Sequence, residues 1–532
     1  MKRINSLLSM ILALSFILIA RFAYIQIVNG SIYSRSAVDQ RVRRVYLSDY
    51  RGTIYDRNMI PITERKSTQY AVVFPDLIKD KNKAISYLTR ITGCDVLTLK
   101  KLLNGTAFTL AIENSNIKTQ QNGIYIATVS ERYSDKAIAS HIIGYLNLYS
   151  HSGVYGIEKA YDNVLNSGGQ IQYTIFLDGN LQAIKGLGSQ YTITGVKRRS
   201  YGIKTTIDYH IQKIAEDVMD EHHINGAVVI LDVKTGQILA MASRPNFVPS
   251  KISEYLSNSD GALVNKALTA YPLGSVFKTV VAAAALENNV ITEKQTFYCT
   301  GNVKIDGISY PCYKNKAHGP VDMDKAFALS CNTTFIKIGE RVGSSRIIDM
   351  AEKFGFGNKV INFSEENTGH IPQPKEVAGA GIGNLSIGQG TLTVTPLQVA
   401  DMMATIANNG IRHIPIIVQG IVDDNGNLIR KENVNRSYRV ISASTAKKLQ
   451  QMLRDVVTDG TGIRADIREG SAGKTGTAET GKTGISHGWF AGYAPYSDPR
   501  YAVVVFAENG GEGGVRAAPV FKDIVENILK IK

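Results

Sequence analysis

Three short stretches of this sequence combine hydroxyl or amide groups with lysine amines at spacings that suit acyl transfer. In chain order they are Ser275-Val276-Phe277-Lys278, Ser330-Cys331-Asn332 and Lys474-Thr475-Gly476-Thr477. A serine hydroxyl is a weak nucleophile until a neighbouring base takes its proton. On a helix, residues i and i+3 share a face, so the spacing predicts the Ser275 hydroxyl and the Lys278 amine within reach of each other. A lysine serves as that base when burial or a second cation lowers its pKa. The apolar run TVVAAAAL at 279–286 puts Lys278 at the head of a buried helix, and Lys474 is a candidate second cation.

Each motif has a bland competitor. Average composition yields about two Ser-x-x-Lys matches in a chain this long. Ser444-Thr445-Ala446-Lys447 is one such match, but it opens STAKKLQQMLRDVV, a helical pattern in which Ser444 reads as the N-cap. Lys-Thr-Gly-Thr is rarer, expected in about one chain in a hundred. Its partial copy Lys482-Thr483-Gly484 lies among Gly481, Gly484 and Ser486 and reads as a loop. Lys474 instead sits between Ser471-Ala472-Gly473 and Ala478, small residues that suit a strand approached closely by another backbone. Ser330-Cys331-Asn332 is a common kind of turn triplet. Its place between helical patterns at 323–329 and 335–342 lets it project from an interhelix turn.

The elements that must hold these groups are legible around them. GAVVILDVKTGQILAMAS at 226–243 reads as two apolar strands about a turn at Lys234-Thr235-Gly236. Apolar strands at 489–494 and 501–507 and an amphipathic helix at 518–531 mirror it near the other end. Thr206-Ile207-Asp208 caps a helical pattern, and another helix starts at Pro396 and stops at Asn408-Asn409-Gly410. Strands at both ends with helices between imply an antiparallel sheet covered by helices. Upstream, 42–47 reads as a strand and 51–58 as a polar turn segment, while 60–197 mixes short apolar stretches with Gly, Asn and Ser, without one period.

Lys and Arg outnumber Asp and Glu by 60 to 46, a formal charge of +14. The excess is dispersed, which implies an anionic setting such as a membrane surface or cell wall. No zinc-finger spacing, heptad-linked basic region or RRM-type aromatic box accompanies it, so nucleic acid is not an expected partner. Residues 7–20 contain only Ser9 and Ser15 as polar side chains. Read on through Arg21 and Phe22-Ala23-Tyr24-Ile25, the segment reaches the ~20 residues that span a bilayer. No small-x-small cleavage site follows it. Arg35, Arg41, Arg43 and Arg44 compete with Lys2 and Arg3, so the positive-inside rule does not settle orientation; a short tail inside with the bulk outside is still the simpler export topology.

Four cysteines, Cys94, Cys299, Cys312 and Cys331, are too few for a disulfide scaffold. Cys299 and Cys312 flank Asp306-Gly307, a hairpin dipeptide, and either a disulfide or two packed thiols fits an exported domain. The nine histidines show none of the usual zinc-ligand spacings, so no metal is expected.

The three motifs in this order resemble the serine penicillin-recognising enzymes. Several further stretches are similar to class B penicillin-binding proteins: RGTIYDRN at 51–58, with Met59 where glycine is usual; ASHIIGY at 139–145; Gly156-Ile157-Glu158-Lys159; the 226–243 hairpin; Ile387-Gly388-Gln389-Gly390; and His487-Gly488-Trp489. Leu273 departs from the proline more often found before the Gly-Ser. The resemblance implies an α/β chain of the α+β type, with the penicillin-recognising transpeptidase fold. It implies a cytoplasmic tail at 1–6, a transmembrane anchor at 7–28, a mixed pedestal domain at 29–200 and a transpeptidase domain at 201–532. The location implied is the plasma membrane, single-pass, with the catalytic domain extracytoplasmic.

The resemblance also implies a peptidoglycan D,D-transpeptidase working without cofactor. Ser275 would be the nucleophile, Lys278 its base and Ser330 the proton relay. Asn332 would hold the donor peptide's amide and Lys474 would tune the network. Thr475 and Thr477, flanking Gly476, would bind the terminal carboxylate, with the Ser275 and Thr477 N–H groups as oxyanion hole. Implied partners are peptidoglycan stem peptides, β-lactams that acylate the same serine, and a SEDS-type glycan polymerase. The competing readings are a D,D-carboxypeptidase or β-lactamase on the same fold, and a non-catalytic β-lactam sensor or scaffold.

Overall fold

Every residue of the run GAVVIL at 226–231 is buried. Side chains alternate across a strand, so a strand apolar on both faces must be covered on both. The computed structural model, which describes residues 2–113, 123–184, 189–197, 199–257, 260–292, 294–432, 436–481 and 483–531, contains that arrangement. Strand Gly226–Asp232 lies between Ile238–Arg244 and Tyr501–Ala507, and the sheet continues through Ser486–Ala494 to an edge at Ala472–Glu479. All four pairings are antiparallel.

The two faces bury different clusters. Val228 and Ile230 pack with helices Tyr209–Glu221 and Gly513–Lys530, which contribute Ala215, Met219, Phe521 and Ile524. Ala227, Val229 and Leu231 pack in the larger cluster with helices Lys278–Glu287 and Pro396–Ala407. Lys278–Glu287 is apolar on all sides and is buried from Lys278 to Leu286, as a helix without a polar face must be. Pro396–Ala407 begins with a capping box, Gln398 N–H donating to Thr395 Oγ1 at 3.2 Å and Thr395 N–H to Gln398 Oε1 at 2.9 Å. Asp208 caps Tyr209–Glu221 as the sequence predicts. In the helix Ala443–Thr458 the cap is Ser442, whose hydroxyl accepts from Thr445 N–H, and not Ser444. The competing Ser-x-x-Lys is still a first-turn feature, displaced by two residues.

The chain forms two compact units that divide at Arg199/Ser200, with two upstream segments grouped with the second unit. One unit comprises Met1–Arg51, Lys66–Glu131 and Ser167–Arg199; the other comprises Gly52–Arg65, Arg132–Asn166 and Ser200–Lys532. The physical reason lies in short segments without periodicity. Ile54–Tyr55 pairs in parallel with Gly202–Thr205, and Ile54 is fully buried. The buried Asp56 carboxylate accepts the N–H groups of Asn58, Ile60 and Tyr209, which explains the polar stretch at 51–58. Arg132 bridges Glu64 at 2.9 Å and Glu158 at 2.8 Å. The two ion pairs tie 52–65 to 132–166, while the Ile54–Tyr55 pairing and the Ala139 and Gly156 N–H groups donating to Glu216 and Glu365 join both segments to the rest of the larger unit.

In the smaller unit, Lys2–Val28 is a 27-residue helical stretch of mean hydropathy 2.2 with nothing buried against it, long and apolar enough to cross a membrane. The rest holds two three-stranded sheets and the helices Lys81–Thr92 and Val96–Leu102.

Candidate active site

Ser275 stands in a one-turn 3-10 helix, Gly274–Phe277, that runs into Lys278–Glu287. In a 3-10 turn side chains at i and i+3 eclipse, so Ser275 and Lys278 keep a common side. The turn is seated on the edge strand. Gly274 has φ +62, and a Cβ there would lie 2.5 Å from Thr477 O. A Cβ on Gly476 would lie 2.9 Å from Leu273 O, so the glycine of the third motif is required by packing against the serine turn. Trp489 Nε1–H donates to Pro272 O at 3.1 Å and holds the approach to that turn.

Ser330 and Asn332 come from a separate helix–turn–helix segment. Met323–Ala328 and Asn332–Val342 are the two expected helices, and Ser330 between them has φ +55, the left-handed region that a serine rarely occupies. Lys278 and Lys474 are both fully buried. The Lys278 ammonium donates to Ser330 O at 2.7 Å, Ser330 Oγ at 3.2 Å and Asn332 Oδ1 at 2.7 Å. Lys474 donates to Ser330 Oγ at 3.0 Å and Thr475 O at 3.2 Å. One hydroxyl therefore stands between two amines. The Ser275 hydroxyl is not among these acceptors. A lysine ammonium has three donors, and all three are spent on Ser330 and Asn332.

Burial pushes the Lys278 amine down to about 8, against the pull of the Cys331 and Cys312 sulfurs. Burial, and then the neighbouring Lys278 charge, holds Lys474 well below the usual lysine range. Two aromatic rings offset part of that cost: Lys278 Nζ is 5.9 Å from the Phe335 ring centroid and Lys474 Nζ 5.5 Å from that of Phe327. On the strand, Thr475 Oγ1 is 2.6 Å from Thr461 Oγ1, and Thr477 is half-buried beside the serine turn. Ala472–Glu479 is an edge strand, so its outer peptide groups can pair with an extended peptide. Of the competing Lys482-Thr483-Gly484, Lys482 lies outside the described residues, and Thr483 and Gly484 are exposed turn residues.

The family described as penicillin binding protein transpeptidase domain matches residues 226–526, which include all three motifs. The chain belongs to this family. This penicillin-binding transpeptidase is 29% identical to stage V sporulation protein D of Bacillus subtilis over 549 residues, covering 96% of this chain and 82% of the relative. It is 30% identical to peptidoglycan D,D-transpeptidase PbpA of Mycolicibacterium smegmatis over 437 residues, 75% of this chain and 84% of the relative. Its fold is similar to a chain of a peptidoglycan synthase complex that coordinates polymerization and crosslinking, with 25% identity, a TM-score of 0.75, and 100% of this chain and 99% of that chain covered. It is also similar to the imipenem acyl-enzyme complex of penicillin-binding protein A from M. tuberculosis, with 27% identity, a TM-score of 0.64, and 76% and 93% covered.

Thr461, Phe327 and Phe335 also contribute to the site of the penicillin-binding transpeptidase, and no sequence motif marks them. Thr461 lies in a Gly-Thr-Gly turn with no motif of its own, and the two phenylalanines look like ordinary core residues of their helices. Of the two readings left open for the cysteines, the structure holds the packed thiols. Cys299 and Cys312 carry no disulfide, with sulfurs 3.7 Å apart. Asp306-Gly307 is the expected two-residue turn, between Asn302–Ile305 and Ile308–Pro311, but Cys299 lies outside that hairpin on Phe297–Cys299. Cys331 and His318 join the two sulfurs, so the expectation of no metal does not follow from these residues.

Proposed function

We propose that this chain is a membrane-anchored peptidoglycan D,D-transpeptidase in which Ser275 forms the acyl-enzyme. The observation that carries the assignment of roles is the Ser330 hydroxyl held between two fully buried lysines, 3.2 Å from Lys278 and 3.0 Å from Lys474. A protonated Lys278 satisfies its three acceptors; a neutral one gives up one of them and gains a lone pair. Its longest bond, to Ser330 Oγ, is the one most readily lost. Neutral Lys278 then takes the Ser275 proton as Oγ attacks the penultimate D-Ala carbonyl of a stem peptide. The tetrahedral oxyanion receives the N–H groups of Ser275 and Thr477, a contribution of typically ~3 kcal/mol per donor.

Collapse breaks the C–N bond. The proton passes from Lys278 through Ser330 to the leaving D-Ala amine, while Lys474 stabilises the relay hydroxyl. An acceptor amine from a neighbouring stem peptide then attacks the ester, its proton returns along the same path, and Ser275 is regenerated. Asn332 orients Lys278 through Oδ1 and is anchored by its Nδ2 donating to Pro311 O at 3.0 Å, with donor and acceptor capacity left for the donor peptide's amide. Thr475, oriented by Thr461, and Thr477 bind the terminal carboxylate, and Gly476 lets the serine turn sit against them.

Lys2–Val28 anchors the protein in the plasma membrane as a single pass, with the catalytic unit outside. Relatives named for transpeptidation and a similar chain from a synthase complex support stem peptides as substrate, β-lactams as acylating inhibitors and a SEDS-type glycan polymerase as membrane partner. The test is product analysis with the full chain and a pentapeptide-bearing glycan substrate. Cross-linked dimer with released D-Ala is expected; tetrapeptide alone would make the protein a carboxypeptidase instead.

A further inference from the structure

Glu512 is the only residue with a side chain in the run Gly510-Gly511-Glu512-Gly513-Gly514. The glycines after it are demanded by close packing. A Cβ on Gly513 would lie 2.4 Å from Gly476 O, and one on Gly514 would lie 2.5 Å from Thr461 O and 3.5 Å from Thr475 Cγ2. Glu512 is therefore held beside the third-motif strand. It is the N-cap residue of Gly513–Lys530, where an acidic side chain ordinarily turns back onto the first helical N–H groups. Its side chain makes no such bond. The carboxylate instead accepts a hydrogen bond from the Tyr313 hydroxyl, and Lys314 Nζ lies 3.8 Å from the same oxygen.

Tyr313 and Lys314 belong to the segment that supports Asn332. Asn332 Nδ2 donates to Pro311 O at 3.0 Å, and the chain then turns sharply, Asn315 N–H donating to Cys312 O at 2.8 Å and Lys316 N–H to Tyr313 O at 3.2 Å. Lys314 has φ +53 and Asn315 φ +55, consecutive left-handed positions that L side chains rarely occupy. The turn is seated on Gly301, where a Cβ would lie 2.6 Å from Asn315 O. The Lys314 ammonium also lies 4.8 Å from the Tyr313 ring centroid, so the three side chains make one contact. Lys278 bonds Asn332, and the Ser275 turn sits on Thr477. The reacting centre thus lies between the two walls that this contact joins.

We propose that Tyr313, Lys314 and Glu512 form a clasp across the catalytic cleft that opens to admit substrate, and that Glu512 is the positioning residue that sets access to Ser275. The consequence for catalysis rests on the transpeptidase reading. Lys314 is 75% and Glu512 46% exposed, and exposed pairs of this kind are weak, so the clasp exchanges readily between closed and open forms. Gly511 has φ +79, and among the described residues nothing lies within 4 Å of where its Cβ would be, which leaves Glu512 room to swing. When only the open form binds, the apparent dissociation constant is the intrinsic one divided by the open fraction.

The test uses the full chain and two readouts. Stopped-flow saturation kinetics with a fluorescent penicillin separate binding from acylation. Tyr313→Phe and Glu512→Ala are each expected to lower the half-saturating penicillin concentration by about two- to fivefold, the range an exposed contact allows, with the limiting acylation rate unchanged. The Tyr313→Phe/Glu512→Ala double variant is expected to lower it no further. A loss of fold would raise it instead. Deuterium exchange without ligand reads the clasp itself: Glu512→Ala is expected to speed exchange in 313–317 by about two- to fivefold and to leave Lys278–Glu287 unchanged. Half-saturation that is unchanged or raised in both single variants, effects that multiply in the double variant, or exchange in 313–317 that ignores Glu512→Ala would each overturn the clasp. Absence of a penicillin adduct in every variant would instead refute the transpeptidase reading, and the exchange readout would still decide the clasp.

Discussion

The buried position of Lys278 makes a quantitative statement about acylation. Burial takes its amine from 10.5 down to about 8. At pH 7 the neutral fraction is then about 0.09, against about 0.0003 for an unperturbed lysine, so burial supplies roughly 300-fold more free base. Between pH 7 and pH 9 that fraction rises from about 0.09 to about 0.9, so the second-order rate of penicillin acylation rises about tenfold, with a midpoint near 8. The linkage has the same sign. The unfolded chain binds more protons between about 8 and 10.5, so stability rises with pH across that window, and the penalty present in full below pH 8 is about 3 kcal/mol. The assay is stopped-flow labelling of the full chain with a fluorescent penicillin across pH 6 to 10, each rate corrected for spontaneous drug hydrolysis. A rate that is flat or falling from pH 7 to pH 9, or a midpoint above 10, would refute Lys278 as the proton acceptor.

Other perturbations follow from the same geometry. Ser330→Ala removes the acceptor shared by both lysines, and penicillin acylation should slow by about 100-fold or more, while circular dichroism keeps its wild-type form. Gly274→Ala forces a Cβ to within 2.5 Å of Thr477 O at a φ of +62, so it should cost about 1–3 kcal/mol in denaturant titration and abolish rapid labelling. The Arg412 guanidinium meets the Asp401 carboxylate at 2.7 Å with both side chains almost fully buried. Asp401→Ala should lose about 3–5 kcal/mol, and Asp401→Leu/Arg412→Met should recover most of it in a double-mutant cycle.

The sequence carries the catalytic unit's sheet openly because its strands are long and apolar on both faces. GAVVILD, YAVVVFA and the helix starting at Pro396 leave no competing local structure. The same holds for Ser275, Lys278 and Lys474, whose neighbours are small or apolar. What periodicity cannot carry is contact between distant short segments. Ile54–Tyr55 is two residues long and becomes a strand only through Gly202–Thr205, which is why residues 52–65 group with the unit that runs from Ser200 onward. The Ser275–Lys278 spacing is local and legible, but the partners that take the Lys278 donors come from more than fifty residues away. The cysteine cluster is illegible for the same reason: Cys299, Cys312, His318 and Cys331 meet none of the short ligand spacings, and only paired strands and a helix cap bring them together.

The claim that Ser275 is the acylated nucleophile is tested most directly by mapping the β-lactam adduct. The full chain is labelled with penicillin, digested and sequenced by tandem mass spectrometry, beside Ser275→Ala and Ser444→Ala. A single adduct on the peptide containing Ser275, lost in Ser275→Ala and undiminished in Ser444→Ala, is the predicted result. An adduct on any other serine, or full labelling of Ser275→Ala, would contradict it.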